Sequence, residues 1–192
     1  MRKNKIFFLL FKSLLILTSK LFAQNKYKID AILDVKKQTV TVSQTITFLN
    51  TTEGSVKKIY LNNWANSYEG TESQLVKHLA NQFNRSFYFS SKSKLGFSEI
   101  DEIRNRESKL KWNQLEEQLD IIEVDIGKDL RKGDEINLFL KYKIKIPDDK
   151  FTGFGIGFNN KILFRDFFIS VTPYINKNWI LNSNLGLRDN SH

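Results

Sequence analysis

The chain has two histidines, His78 and His192, and acid–base or zinc chemistry would have to begin with them. His78 sits in "KHLAN", without a second histidine four residues away and without the glutamate between. The paired imidazoles of a zinc-peptidase helix are therefore missing, and His78 is expected to be a surface or packing residue. His192 is the last residue. Serine hydrolysis would need His78 as its base, and no Gly-x-Ser-x-Gly elbow offers a nucleophile. "GFGIGF", Gly153 to Phe158, has the glycines of a phosphate loop but no following Lys-Ser/Thr pair. Glycine alternating with bulky residues suits a closely packed or bulged strand better. Asp148 and Asp149 offer too few oxygens for a calcium ion that takes about six to eight, and read as turn residues. No carboxylate pair stands out for glycoside cleavage. The remaining candidates are large rings in loop-like surroundings: Trp64, Tyr68, Trp112, Tyr174 and Trp179. They could stack on a sugar or a peptide, although burial in the core is the favoured alternative. No catalytic, cofactor-binding or metal-ligating residue is assigned.

Composition narrows the class of molecule that must carry these residues. The 192 residues favour a single domain; 41% are hydrophobic and 27% charged, enough for a core and too apolar for wholesale disorder. Residues 1–23 read as a signal peptide: a basic start, "MRKNK", a 12-residue apolar run from Ile6 to Leu17 interrupted by Lys12, and "LFA" before Gln24. That run is short for a bilayer, so cleavage rather than anchoring is expected, with no stable membrane span afterwards. The product would be exported to the periplasm or outside the cell. Cleavage removes Arg2, Lys3, Lys5, Lys12 and Lys20 and no acid, taking the formal charge from +9 to +4. The basic excess behind a nucleic-acid reading mostly disappears with it. Cysteine is absent, which excludes disulfides, thiol nucleophiles and cysteine-ligated zinc.

The elements that must position any site are mostly strands. "KGDEINLFLKYKIKIP", Lys132 to Pro147, places Ile136, Leu138, Leu140, Tyr142, Ile144 and Ile146 on alternate positions, with Lys141, Lys143 and Lys145 between them. This is the period of a half-buried strand. "YKIDAIL" and "TVTVSQTITFLN" alternate in the same way around the polar turn "DVKKQ" and read as a hairpin. "VKKIYLNNW" is a third strand. Between Thr71 and Phe83, Glu72, Leu75, Val76, Leu79 and Phe83 mark a helical face, with Thr71 or Ser73 as its cap. "RSFYFS" and "GFSEIDEIR" suggest short strands. "ESKLKWNQLEEQLDIIEVDIG" could start helical and end extended, and Gly133 in "KDLRKGD" suits a turn with positive φ. "KILFRDFFISVTPY" reads as a further strand pair. Seven or so strands and one clear helix predict a mainly β protein, an antiparallel β-sandwich of saddle-like form with one short helical insertion over residues 24–192.

The order of these segments resembles the amino-terminal domain of the aminopeptidase N-like zinc metallopeptidases, the gluzincin aminopeptidase family. That domain opens on a Tyr-x-Ile strand, matched by Tyr27 and Ile29. It continues to a strand ending Phe-x-Asn-x-Thr, matched by Phe48, Asn50 and Thr52, and then to an Asn-Ala-Tyr-like segment, matched by "WANSY". "VDIGKDLRKGDEINLFLKYKIKIP" is similar to a later strand of the family, and the match runs from Lys26 to about Trp179. The resemblance implies a non-catalytic scaffold beside a separate catalytic domain that would hold the zinc on a His-Glu-x-x-His helix. Neither that motif nor the Gly-x-Met-x-Asn loop is in this chain. The domain's usual glutamine contribution to the substrate pocket has no counterpart in "FFISVTPY". The resemblance further implies that the last strands are missing after "LRDNSH", and that the partner is such a catalytic domain or a peptide substrate. Two alternatives remain at this level: a free-standing peptide- or glycan-binding sandwich, and an outer-membrane barrel, whose strands alternate in the same way.

Overall fold

In the computed structural model, which describes residues 25–175 and 177–186, the long alternating segment is the central strand of the molecule. β1 (Lys26–Asp34), β2 (Thr39–Leu49), β4 (Phe97–Arg104) and β7 (Glu135–Lys145) form one four-stranded sheet in the order β1-β2-β7-β4. β3 (Val56–Asn62), β5 (Lys111–Gln114), β6 (Ile121–Leu130) and the two-residue β10 (Ser170–Val171) form a second, in the order β10-β3-β6-β5. The main strand pairings in both sheets are antiparallel. Two short ribbons complete the chain: β8 (Gly155–Ile156) with β9 (Ile162–Leu163), and β11 (Tyr174–Ile175) with β12 (Asn178–Trp179). The strands thus form two open sheets with their own edges, a sandwich rather than one closed barrel.

Register decides which side of each strand is buried. β2 and β7 pair so that Val40 faces Ile144, Val42 faces Tyr142, Ile46 faces Leu138 and Phe48 faces Ile136. All eight are buried, because side chains directly opposite one another share a face of the sheet. From the second sheet, Ile59, Leu61, Ile122, Val124, Ile126 and Leu130 close the same core. The lysines between the apolar residues of β7 fall on the solvent side: Lys141 and Lys143 are exposed and Lys145 is half-buried.

The corner between β2 and β3 is tied to the turn between β6 and β7 by one side chain. Fully buried Asn50 donates to the carbonyls of Gly54 and Leu130 and accepts from the Thr52 amide. Its backbone bonds Asp134 and Gly133 across the gap. Gly133 holds φ 88°, the left-handed region in which a residue without Cβ meets no penalty. At β8, Gly155 has φ 132°, and a Cβ there would lie 2.2 Å from the Pro147 carbonyl oxygen, so "GFGIGF" is closely packed as its glycines suggest, although only Gly155–Ile156 of it is strand.

Several local expectations change. Helix α1 runs from Gln74 to Asn81, capped by Ser73, whose Oγ accepts from the Val76 amide at 3.3 Å. Leu75, Val76 and Leu79 are buried, but Phe83 lies beyond the helix end at φ 63° and is 92% exposed. "RSFYFS" forms turns, not a strand, because Phe87 enters a side cluster while Phe89 points outward. "KLKWNQ" is not helical: β5 pairs with β6, placing Trp112 opposite Val124. "KILFRDFFISVTPY" does not pair with itself; β9 pairs with β8 and β10 with β3. Among the described residues, no helix is long and apolar enough to cross a membrane.

Candidate functional site

The densest concentration of buried polar side chains lies where "NNWANSY" leaves β3. The chain turns there through a 3-10 helix, Trp64–Tyr68, and meets the loop before β6 and the segment 180–186. Asp120 is 2% exposed; its Oδ1 accepts from Ser183 Oγ at 2.8 Å and its Oδ2 from the Asn184 amide at 2.6 Å. Asn184 Nδ2 donates to Ser67 Oγ at 2.9 Å, and Ser67 Oγ donates to the Trp64 carbonyl at 2.7 Å. Asn66 Nδ2 donates to Glu69 Oε2 and to the Leu119 carbonyl, while its Oδ1 accepts from the Ser98 amide on β4. Burial pushes the Asp120 carboxyl above the ordinary carboxylate range; the Asn184 and Ser183 hydrogen bonds offset part of that shift. Taken together, these bonds form a latch that fastens residues 183 and 184 to the loop carrying Asp120.

Beside the latch are two adjoining hollows. A small one, with room for about 10 Å³, is lined by Trp64, Tyr68, Phe154, Arg165, Asp166 and Asn184. An open groove of about 260 Å³ is lined by Tyr27, Asn62, Phe168, Val171 and Pro173, among others, with Trp64 and Asp166 shared between the two. Asn62 is 6% exposed, and its Oδ1 has no hydrogen-bond partner among the described residues. Tyr27 Oη accepts from the Val171 amide at 3.1 Å, and its ring lies 5.7 Å from that of Phe168, so β1 and β10 meet along this groove. A groove of aromatic and aliphatic walls with a few polar groups suits recognition of an apolar group on a larger ligand.

The five ring residues singled out from sequence do not form one face. Trp64 is half-buried, with Nε1 donating to the Asn182 carbonyl at 3.2 Å. Tyr68 is 2% exposed, its hydroxyl 2.6 Å from Thr152 Oγ1, and is a core residue. These two share the small hollow. Trp179 and Tyr174 meet in the β11–β12 ribbon with ring centroids 5.0 Å apart, and Trp179 also packs near Phe48 and Tyr60. Trp112 lies on β5, at the edge of its sheet opposite β10, and is 38% exposed. His78 is half-buried in the last turn of α1, where its Nε2 lies 3.0 Å from Gln82 Nε2; His192 lies outside the described residues, as do residues 1–23. Asp148 bonds the Lys150 amide and pairs with Lys94 at 3.5 Å, as a turn residue does. Among the described residues, no group of three or more histidine, aspartate or glutamate side chains is arranged to hold a metal ion.

Sequence reasoning missed one other polar device, although its signal was present. Gln44 occupies the apolar phase of β2, and Tyr142 carries the only hydroxyl in the apolar phase of β7. Tyr142 Oη donates to Gln44 Oε1 at 2.5 Å, Gln44 Nε2 donates to the Ile169 carbonyl at 2.5 Å, and the Ile169 amide donates to Tyr142 Oη at 3.2 Å. This closed ring holds the backbone that leads into β10 inside the sandwich. A polar residue in an otherwise apolar register was the available clue; its partner 125 residues away was not.

No family model matches the chain, and no curated protein matches it.

Proposed function

We propose that the chain is the non-catalytic amino-terminal scaffold of an exported protein of the aminopeptidase N-like zinc metallopeptidase type, flanking the substrate path of a separate catalytic domain. One observation carries this reading: Phe48, Asn50 and the "WANSY" segment, on which much of the resemblance rests, are joints of the sandwich. Phe48 is core, Asn50 ties two turns together, and Ala65, Asn66, Ser67 and Tyr68 of "WANSY" are buried where the chain leaves β3. Asn66 and Ser67 hold the neighbouring segments rather than facing an open cleft. Zinc would belong to the catalytic domain. The test is hydrolysis of aminoacyl reporter substrates by the purified chain with added zinc. No turnover above background is expected, and strong activity abolished by a chelator would overturn the reading.

The groove favours a second reading, a free-standing module that binds peptide or glycan through Trp64 and Tyr27. A peptide and glycan array separates the two. Selective binding lost in Trp64→Ala but retained in Trp112→Ala, whose ring stands at the far edge, would support the module; an empty array supports the scaffold.

A further inference from the structure

β1 is the edge of its sheet: among the described residues it pairs with β2 alone, and its outer row of amides and carbonyls is uncovered. Its inward face continues the core row of β2, since Tyr27 lies opposite Ile46, Ile29 opposite Gln44, Ala31 opposite Val42 and Leu33 opposite Val40. Yet β10, the strand stacked against it, is only two residues long, and the core row of β1 is left open. Leu33 is 43% exposed, Val35 just beyond the strand 52%, and Ile32 on the outer face 74%. A long, partly apolar, unpaired edge of this kind is a template for another strand.

We infer that β1 pairs antiparallel with β1 of a second copy of this chain, about a two-fold axis through Ala31. The charge pattern selects both the occupant and the register. Centred on Ala31, the inward face pairs Ile29 with Leu33, Ala31 with itself and Tyr27 with Val35, so every pair is apolar. The outward face pairs Lys28 with Asp34 at each of the two ends and Asp30 with Ile32 between them, with the two Ile32 side chains diagonal to one another. A two-fold axis normal to the sheet requires such an even register, because it keeps each side chain on its own face. Centring on Asp30 would set two carboxylates against each other, and centring on Ile32 would oppose Asp30 to Asp34. Centring on Ile29 would set Leu33 opposite Asn25, and centring on Leu33 would set Ile29 opposite Lys37 of the turn. The result is a continuous eight-stranded sheet across two copies. The contact shares Tyr27 with the groove, and it does not need the proposed scaffold role.

Sedimentation velocity on the purified chain tests this. A reversible dimer is expected in the range of tens of micromolar, since the surface covered is small for a permanent interface. Lys28→Asp places a carboxylate opposite Asp34 at each end, and Asp34→Lys opposes Lys28 with a second lysine. Each variant alone is expected to dimerise at least about tenfold more weakly. An equimolar mixture restores the dimer, because each contact then pairs one Asp with one Lys. Because Asp34 also accepts from the Lys37 amide in its own turn, a cysteine probe gives an independent reading. The chain has no cysteine, and paired residues in an antiparallel ladder lie about 4.5–5.5 Å apart, within disulfide reach. Ala31→Cys is expected to form an intermolecular disulfide under mild oxidation, while Ile29→Cys stays reduced. A wild-type chain monomeric at several hundred micromolar, a mixture that remains monomeric, or cross-linking at Ile29 in place of Ala31 would each overturn the inference.

Discussion

Among the described residues, two hydrophobic clusters differ in construction. The larger lies between the sheets and is almost wholly aliphatic, built from the alternate residues of β2, β3, β6 and β7. The smaller lies under the loops on one flank and is mostly aromatic: Tyr68, Phe87, Phe151 and Phe154 around Leu75, Val76 and Leu79 of α1. In the first, strand geometry delivers a side chain to the core at every second residue, and small branched groups suffice to fill the space. In the second, the irregular segments deliver few residues each, and those they deliver are large rings, set against the aliphatic face of α1. Phe87 and Phe151 stack with centroids 3.9 Å apart, and Tyr68 joins Phe154 at 5.3 Å. Regular backbone buries by count; irregular backbone buries by ring size.

That contrast sets the order of expected effects. Leu138→Ala, at a fully buried site on the central strand, should destabilise the whole fold by about 4 kcal/mol. Urea unfolding should show an earlier midpoint with an unchanged slope, since the same surface is exposed on unfolding. A loss below about 1 kcal/mol would mean that the inter-sheet core is not the cooperative unit.

Phe87→Ala removes one half of the stacked pair and should cost about 3 kcal/mol, at the lower end for a phenylalanine because surface loops can partly collapse into the space. The stronger expectation concerns location. Hydrogen exchange should quicken in α1 and the loops around Phe151 while β2 and β7 keep their protection. Equal acceleration in both regions would show that the two clusters open together.

The difference in construction also explains what could be read from the sequence. β2 and β7 were legible because a period of two both makes the strand and fills the core. The pairing across each sheet, β2 beside β7 and β3 beside β6, is set by contacts between distant residues and leaves no local mark. The aromatic flank was misread where it mattered. "RSFYFS" has the composition of a strand, yet Phe87 is 3% exposed and Phe89 is 84% exposed in a pair of turns. Trp112 failed in the opposite sense, since its polar neighbours suggested a loop or helix while edge pairing with β6 made it a strand. The Asp120 latch was illegible, because neither its loop nor residues 183 and 184 carry a pattern that links them.

Within the aliphatic core, the Gln44–Tyr142 ring is a polar inclusion that can be weighed directly. Burial raises the Tyr142 hydroxyl well above its usual range, so it stays protonated and donates. Tyr142→Phe keeps the ring volume but leaves Gln44 Oε1 and the Ile169 amide without a partner, an expected loss of about 2 kcal/mol. If the ring of bonds serves to place β10, exchange at Ile169 and Val171 should rise more than elsewhere on the second sheet. A neutral outcome would mean that packing alone seats this strand.

The smallest effect compares two carboxyls three residues apart at the start of β6. Asp120 is buried and held above its ordinary value of 3.8. Glu123, on the outer side of the sheet, is held below 4.5 by hydrogen bonds from Lys58 at 2.8 Å and from Tyr60 at 2.6 Å, and Tyr60 is itself pushed up to about 12. The two contributions must have opposite signs. In the region above pH 3.8 and up through the raised value, the folded state holds the Asp120 proton more tightly than the unfolded chain does. Its contribution is therefore present below that range and lost as pH rises. For Glu123 the unfolded chain binds the proton more tightly, so its contribution is present above pH 4.5 and lost as pH falls through the depressed folded value. Urea midpoints from pH 3 to pH 7 in the wild type, Asp120→Asn and Glu123→Gln test this pairing. Asp120→Asn loses an acceptor to the Asn184 amide and should be less stable throughout, but its deficit should narrow as pH rises. Glu123→Gln should match the wild type at the acid end and fall behind it as pH rises. Parallel curves for Asp120→Asn would mean that the latch opens before it titrates, leaving the carboxyl in water, and the segment it fastens would then be held by Gln118 and Trp64 instead.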